Sequence, residues 1–198
     1  QQDDMLAMKK YAKQTISLTP DIIQDAKLLL NALGLPVIQA PSESDAQISY
    51  LNKMGDVDYG ASNDHDLLLF GCKKLLLNIT LSQTRKLPGG KILYTKPELI
   101  ELEKVLQELN LTPKQLIYLG ILIGTDYNPG GIKGIGPKKG LKLIKETTNY
   151  EKMFYEIAPT LNWKAIVDIY EHMPVEKKYD LEQKPVDVNK VIKLLVDK

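Results

Sequence analysis

One cysteine, two histidines, one tryptophan and two phenylalanines are all that the 198 residues hold of those types. Each scarcity removes a class of explanation. Cys72 has no partner for an internal disulfide, which fits a reducing compartment. With no imidazole nearer in sequence than His65, its expected place is that of a small core filler, not a nucleophile. His65 and His172 stand far apart in sequence, so a histidine-based metal site is a poor expectation. A lone Trp163, remote from most of the acids, supplies no aromatic platform for a sugar, which argues against a glycosidase pair of carboxylates. No apolar run approaches the roughly 20 residues of a membrane span, and QQDDMLAMKK lacks a signal-peptide layout, so no membrane partner and a cytoplasmic residence are expected. The net charge of +1 does not advertise nucleic acid in its average, while 43% apolar residues suffice for a core.

The distribution of charge says more than its sum. Between Pro36 and Phe70 stand Glu43, Asp45, Asp56, Asp58, Asp64 and Asp66 against the single base Lys53. Between Asp126 and Glu146 stand Lys133, Lys138, Lys139, Lys142 and Lys145. A site that binds cations in one place and phosphates in another produces such a split.

Periodicity and punctuation outline an α/β chain. DDMLAMKKYAKQTISLT reads as an amphipathic helix, and Thr19-Pro20-Asp21 opens a second helix that Gly34 closes. LPVIQA reads as a strand, followed by a helix opened by Ser42 with Asp45 in capping-box position and stopped at Gly55. VDYGAS reads as a strand, DHDLLLFG as a short helix and CKKLLLNIT as a further strand, the alternation of a parallel α/β sheet. RKLPGGKILYT reads as a hairpin, TKPELIELEKVLQELN and TPKQLIYLGILIG as helices, then come a glycine-rich hairpin and the helix PKKGLKLIKE. NYEKMFYEIA and NWKAIVDIYEHM read as helices, and Pro174 and Pro185 break the C-terminal tail.

The acids fall where an open sheet binds ligands, beyond the C-terminal ends of expected strands. Asp64 and Asp66 in an extended segment would share one face, with His65 pointing away. Glu43 and Asp45 on a helix would splay by about 200°, converging only if the helix meets the site end-on. Taken singly, each acid has an ordinary role as a cap, a dipole partner or a solvated turn residue. Taken with Asp126 at the end of LIYLGILI, five gathered carboxylates would repel one another, and cations are the usual remedy. Oxygen donors select Mg²⁺ or Mn²⁺ over zinc, and a pair of such ions suits phosphodiester hydrolysis.

Six of the thirteen glycines lie between Gly124 and Gly140. Gly134-Ile135-Gly136-Pro137-Lys138-Lys139 opens a helix whose free amides and lysines suit a nucleic-acid phosphate, independent of base sequence. The alternative is an ordinary αα-turn with solvated lysines. A dinucleotide loop fits less well, since GIGPKKG follows a loop and not a strand.

APSESDAQ, ASNDHDLLLFG and GTDYNPGGIKGIGPKKG, in this order and at these separations, closely resemble the flap endonuclease family of structure-specific 5′ nucleases, the archaeal members in particular. RKLPGGKILY and KPELI agree with it, and the resemblance runs from about Met5 to the end of the chain. It implies a PIN-like α/β core with a parallel sheet over 1–123, with residues 1–18 as the remnant of a helical arch. It further implies a helix-hairpin-helix over 124–148 and a C-terminal helical extension over 149–198. Carried over by motif, Glu43, Asp45, Asp64, Asp66 and Asp126 are the catalytic ligands of two Mg²⁺ ions, with Mn²⁺ as a substitute. Gly134, Gly136, Lys138 and Lys139 are the DNA contacts, beside a K⁺ ion at the hairpin. The implied partners are flap DNA and, for a longer parent protein, a sliding clamp; the implied residence is the nucleoid, or the nucleus in a eukaryote. Three departures stand out: Asp45 replaces the family's usual glutamate, VIKLLVDK lacks a clamp motif, and the family's N-terminal region with two further aspartates has no counterpart in this sequence. A non-catalytic duplex-binding module is the alternative reading.

Overall fold

A computed structural model of the protein describes residues 18–79, 84–86, 90 and 92–196. The expected arch helix lies outside these residues apart from its last two positions, as does most of the tip of the RKLPGGKILYT hairpin.

The described residues form two compact units, one within 1–39 and 177–198 and one within 40–176. In the first, helix α1 (Pro20–Ala32) is capped by the Thr19 hydroxyl, which accepts from Ile22 N–H at 3.3 Å, with Pro20 at its first position. It packs against the C-terminal helix of this unit, Val188–Leu195. Gly34 makes the junction possible. Its φ is +74°, and Lys184 donates its N–H to the Gly34 carbonyl at 2.9 Å, an approach that would bring an added Cβ within 1.8 Å of the Lys184 carbonyl oxygen. LPVIQA forms no strand among the described residues; Pro36, its second residue, removes a ladder donor.

In the second unit, α2 (Ser44–Met54) precedes β1 (Gly60–Ala61), α3 (Asp66–Leu69) and β2 (Lys74–Leu77). β3 (Thr84–Lys86) and β4 (Ile92–Tyr94) pair as a separate antiparallel hairpin, as expected. β5 (Glu98–Glu101) follows, then helices α4 (Leu102–Leu109), α5 (Pro113–Ile123), α6 (Pro137–Glu146), α7 (Tyr150–Ile157) and α8 (Trp163–His172). The tail that Pro174 and Pro185 break ends in α9, the helix Val188–Leu195 of the first unit.

The sheet has the order β1-β2-β5 and is mixed. β1 and β2 are parallel, with Gly60 opposite Leu75, as the sequence alternation implies. KPELI, expected to open a helix, supplies β5 and lies antiparallel to β2, with Leu75 opposite Ile100. The open edge of β2 takes up its backbone groups, a tertiary demand that overrides local helix preference. Leu67, Cys72, Leu75 and Leu77 form a small core here, where Cys72 is indeed a buried filler.

The larger core surrounds α5, whose residues Leu116–Leu122 are all buried. Thr112 and Gln115 close a full capping box at its start, with Pro113 at the first position. Ile144, Phe154, Ile166 and Tyr170 pack around it from α6, α7 and α8. This apolar rod carries the chain to Gly124 and the acid two residues beyond.

Candidate metal centre and nucleic-acid interface

Glu43 is the N-cap residue of α2, but its side chain makes no capping bond, and the helix starts at Ser44. The expected Ser42–Asp45 capping box is therefore absent. Asp45 lies in the first turn and Gly55 stops the helix in the left-handed region, as expected. Glu43 and Asp45 both stand at the N-terminal end of the helix, and the charge of Glu43 acts on Asp45.

Asp64 and Asp66 are not extended. His65 is helical, at φ −80° and ψ −12°, so the two acids are brought together by a turn, not by strand alternation. Ser62 Oγ accepts from Asp64 N–H at 3.0 Å, and Asp64 Oδ1 accepts from Asp66 N–H at 2.8 Å. Short polar side chains outcompete the extended backbone here by binding amides two residues ahead.

Asp126 follows Thr125 in a tight turn closed by a bridge between Thr125 and Asn128. Asn128 holds this turn from within: it donates to the Ile121 carbonyl at 2.7 Å and accepts from the Thr125 hydroxyl at 2.7 Å. The end of the buried helix and the exposed Asp126 are thereby joined rigidly.

The charges of four other acids reach Asp45. Burial first, then the charges of Asp64, Glu43, Asp66 and Asp126, push the Asp45 carboxyl up to about 6. Asp66 is also raised, by burial first, against hydrogen bonds from Tyr170 and the Asp126 backbone that favour its charged form. Burial and the charges of Glu43, Asp66, Asp126 and Asp45 raise Tyr127 as well. Mutual repulsion in an all-oxygen donor set fits a hard divalent cation. Yet no three acid, histidine or cysteine side chains among the described residues already converge on one point for an ion. Charge is gathered without a closed coordination shell.

Asp45→Asn is accordingly expected to unfold at a higher temperature than the parent at about pH 7.5 in EDTA, with the difference vanishing near pH 4. A folded-state value of about 6 against an ordinary 3.8 means that the carboxyl binds a proton more readily when folded. Its favourable contribution is complete below the ordinary value and lost as pH rises through the folded one. Thermal melts across that range test this, and an unchanged or lower melting temperature for the variant above pH 7 would contradict the crowding of charge.

Tyr170 is a site residue that sequence reasoning missed. It is 4% exposed, and its hydroxyl donates to Asp66 Oδ2 at 2.6 Å across a sequence separation of 104. No local pattern signals such a contact, because it is made by the packing of α8.

The glycines of the hairpin divide into two groups. Gly124 and Gly131, at φ +120° and +61°, face each other so closely that an added Cβ on Gly131 would lie 2.4 Å from the Ile123 carbonyl carbon. Gly140 lets α6 approach Leu119 of α5. These serve the fold. Gly134 and Gly136 have open space around them. Gly136 is the N-cap of α6 without a side-chain cap, which leaves first-turn amides available to an anion, with Lys138 and Lys139 exposed beside them. Lys139 reaches back to the Gly134 carbonyl at 3.3 Å.

Residues 34–126 match the XPG I-region family. Along 98% of its length the chain is 46% identical to flap endonuclease 1 of Staphylothermus marinus and 45% identical to flap endonuclease 1 of Thermococcus onnurineus. It spans 57% of the length of each. Among solved structures, flap endonuclease-1 from Methanococcus jannaschii superposes with a TM-score of 0.81 at 36% identity, over 98% of this chain and 57% of that one. The catalytic core of Rad2 in complex with DNA substrate shares the fold, with a TM-score of 0.70 at 22% identity over 98% and 69% of the two chains. No helix among the described residues is long and apolar enough to cross a membrane.

Proposed function

From its likeness to flap endonucleases along 98% of its length, we propose that this chain belongs to their family and carries the acid-rich part of a nuclease core that hydrolyses branched DNA at 5′ flaps. The observation that carries the reading is the coupling of Asp45 to Glu43, Asp64, Asp66 and Asp126, five acids from three chain segments. Two Mg²⁺ ions bound there, or Mn²⁺ in their place, would activate the attacking water and steady the leaving oxygen. The chain's own work is to hold the donors. α2 carries Glu43 and Asp45 at its N-terminal end, the Ser62–Asp64–Asp66 turn orients the second pair, and Asn128 fixes the turn that bears Asp126.

Gly134, Gly136, Lys138 and Lys139 serve as the duplex grip, through amides, open backbone and charge, with a K⁺ ion implied by the family at the same turn. This grip is blind to base sequence. For the longer parent, a sliding clamp and a place in replication and repair follow from the family, in the nucleoid or nucleus.

The test is cleavage of an end-labelled 5′ flap duplex with Mg²⁺, with EDTA as control. The expected result is cutting near the junction that chelator abolishes, with duplex binding that falls with salt but persists in EDTA. The lack of three converged donors favours the second reading, duplex binding without chemistry. Tight binding with no cutting selects it; products that survive EDTA, or no preference for DNA, overturn both.

A further inference from the structure

We propose that the segment from Tyr170 to Glu176 is a positioning strap for the carboxylate site, with Tyr170 holding Asp66 at one end and Glu176 holding the acid-bearing helix α2 at the other. The inference rests on the carboxylate reading above, and two independent contacts carry it.

The first is the 2.6 Å hydrogen bond from the Tyr170 hydroxyl to Asp66 Oδ2. Its direction is fixed by the rings that flank Tyr170. Phe70 lies 4.7 Å away between centroids and Tyr127 5.5 Å away, edge-on. Tyr170 thus packs against the segment that follows Asp66 and the segment that follows Asp126. The second contact is a reciprocal pair. Gln47, 3% exposed, donates its amide to the Glu176 carbonyl at 3.0 Å and accepts from the Glu176 N–H at 2.6 Å. Gln47 stands two residues beyond Asp45, so this clasp fixes the turn of α2 that carries the first acid pair.

The need for a strap follows from the elements themselves. α3 has four residues, too few to hold its own orientation, and α2 has no side-chain cap at its acid-bearing end. A carboxylate oxygen has two lone pairs, so one hydrogen bond from Tyr170 orients Asp66 and leaves acceptor capacity for a cation. Outer partners of this kind set the direction of a ligand, and their loss typically costs about 10- to 100-fold in metal affinity. Tyr170 is therefore a positioning residue, not a catalytic one.

Tyr150 supplies the control. Its hydroxyl is also hydrogen-bonded, accepting from Gln115 at 2.6 Å and donating to the Ile144 carbonyl at 3.3 Å, with no site carboxylate among its partners. The experiment is the melting temperature of the parent, Tyr170→Phe, Gln47→Leu and Tyr150→Phe as Mg²⁺ is titrated, with dissociation constants from calorimetry. Tyr170→Phe keeps the ring and its packing, and is expected to need about 10-fold more Mg²⁺ for the parent's shift. Gln47→Leu is expected to move the same way. Tyr150→Phe is expected to start from a lower melting temperature but keep the parent's Mg²⁺ midpoint. Where cleavage is measured, kcat should fall in Tyr170→Phe while KM for DNA holds. An unchanged Mg²⁺ midpoint in Tyr170→Phe, or an equal loss in Tyr150→Phe, overturns the strap. A parent that Mg²⁺ does not stabilise overturns the carboxylate reading itself, and with it this inference.

Discussion

Gly131→Ala should unfold the glycine turn, lowering the melting temperature of the protein and removing duplex binding with it. The residue sits at φ +61°, a conformation that costs an L-residue roughly 1–2 kcal/mol. An added Cβ would also meet the Ile123 carbonyl carbon at 2.4 Å, Gly124 N at 2.6 Å and the Ile123 carbonyl oxygen at 2.6 Å. All three are backbone atoms, so no side chain can swing aside. Overpacking against such atoms adds about 1–3 kcal/mol, for a total of roughly 2–5 kcal/mol. The turn would lose the bond from Ile132 N–H to the Leu122 carbonyl that seats it on α5, and with it the seating of Ile135 and the start of α6. Gly136→Ala provides the contrast, since nothing lies within 4 Å of its Cβ position and its φ is −94°. It should change the melting temperature little, and any loss of DNA affinity there would report a lost contact and not a lost fold. Thermal melts paired with DNA titrations separate the two, and a stable Gly131→Ala protein that still binds duplex would refute this account of the turn.

Asp64→Asn and Asp64→Ala should both abolish Mg²⁺-dependent flap cleavage, while only the alanine variant loses stability. Asp64 has two tasks: an oxygen that accepts from Asp66 N–H at 2.8 Å, and a charge beside Asp45. Asparagine keeps an acceptor for the turn and removes the charge. Alanine removes both, and losing a side-chain cap of this kind costs about 0.5–2 kcal/mol. Duplex binding should be nearly intact in both variants, because the hairpin proposed to grip DNA is built from other residues. If Asp64→Asn cuts at the parent's rate, Asp64 is a turn residue and its place among the cation ligands fails.

The sequence exposed the acids readily because their types and spacing are local facts. APSESDAQ, NDHD and GTDY stand out by composition, and the hairpin by its glycines. The geometry that joins them was less legible. Alternation placed Asp64 and Asp66 on one face of an extended segment, whereas Ser62 and Asp64 bend it into a turn. The helix pattern of KPELIELEKVL concealed β5, which forms because β2 has an edge to fill. Tyr170 and Gln47 carried no signal, since each meets its partner across more than a hundred residues.

By itself, then, the sequence determined the chemistry available to this protein: oxygen donors in three places, a scarcity of thiol and imidazole, and a glycine-rich turn before a basic helix. Those properties belong to residue types and short spacings, where sterics and capping act over a few bonds. Only the tertiary structure decided that the five acids feel one another, that Gly124 and Gly131 serve the fold while Gly134 and Gly136 face open space, and that a tyrosine from α8 holds Asp66. Burial and packing bring these groups together, and both depend on segments that the chain separates widely.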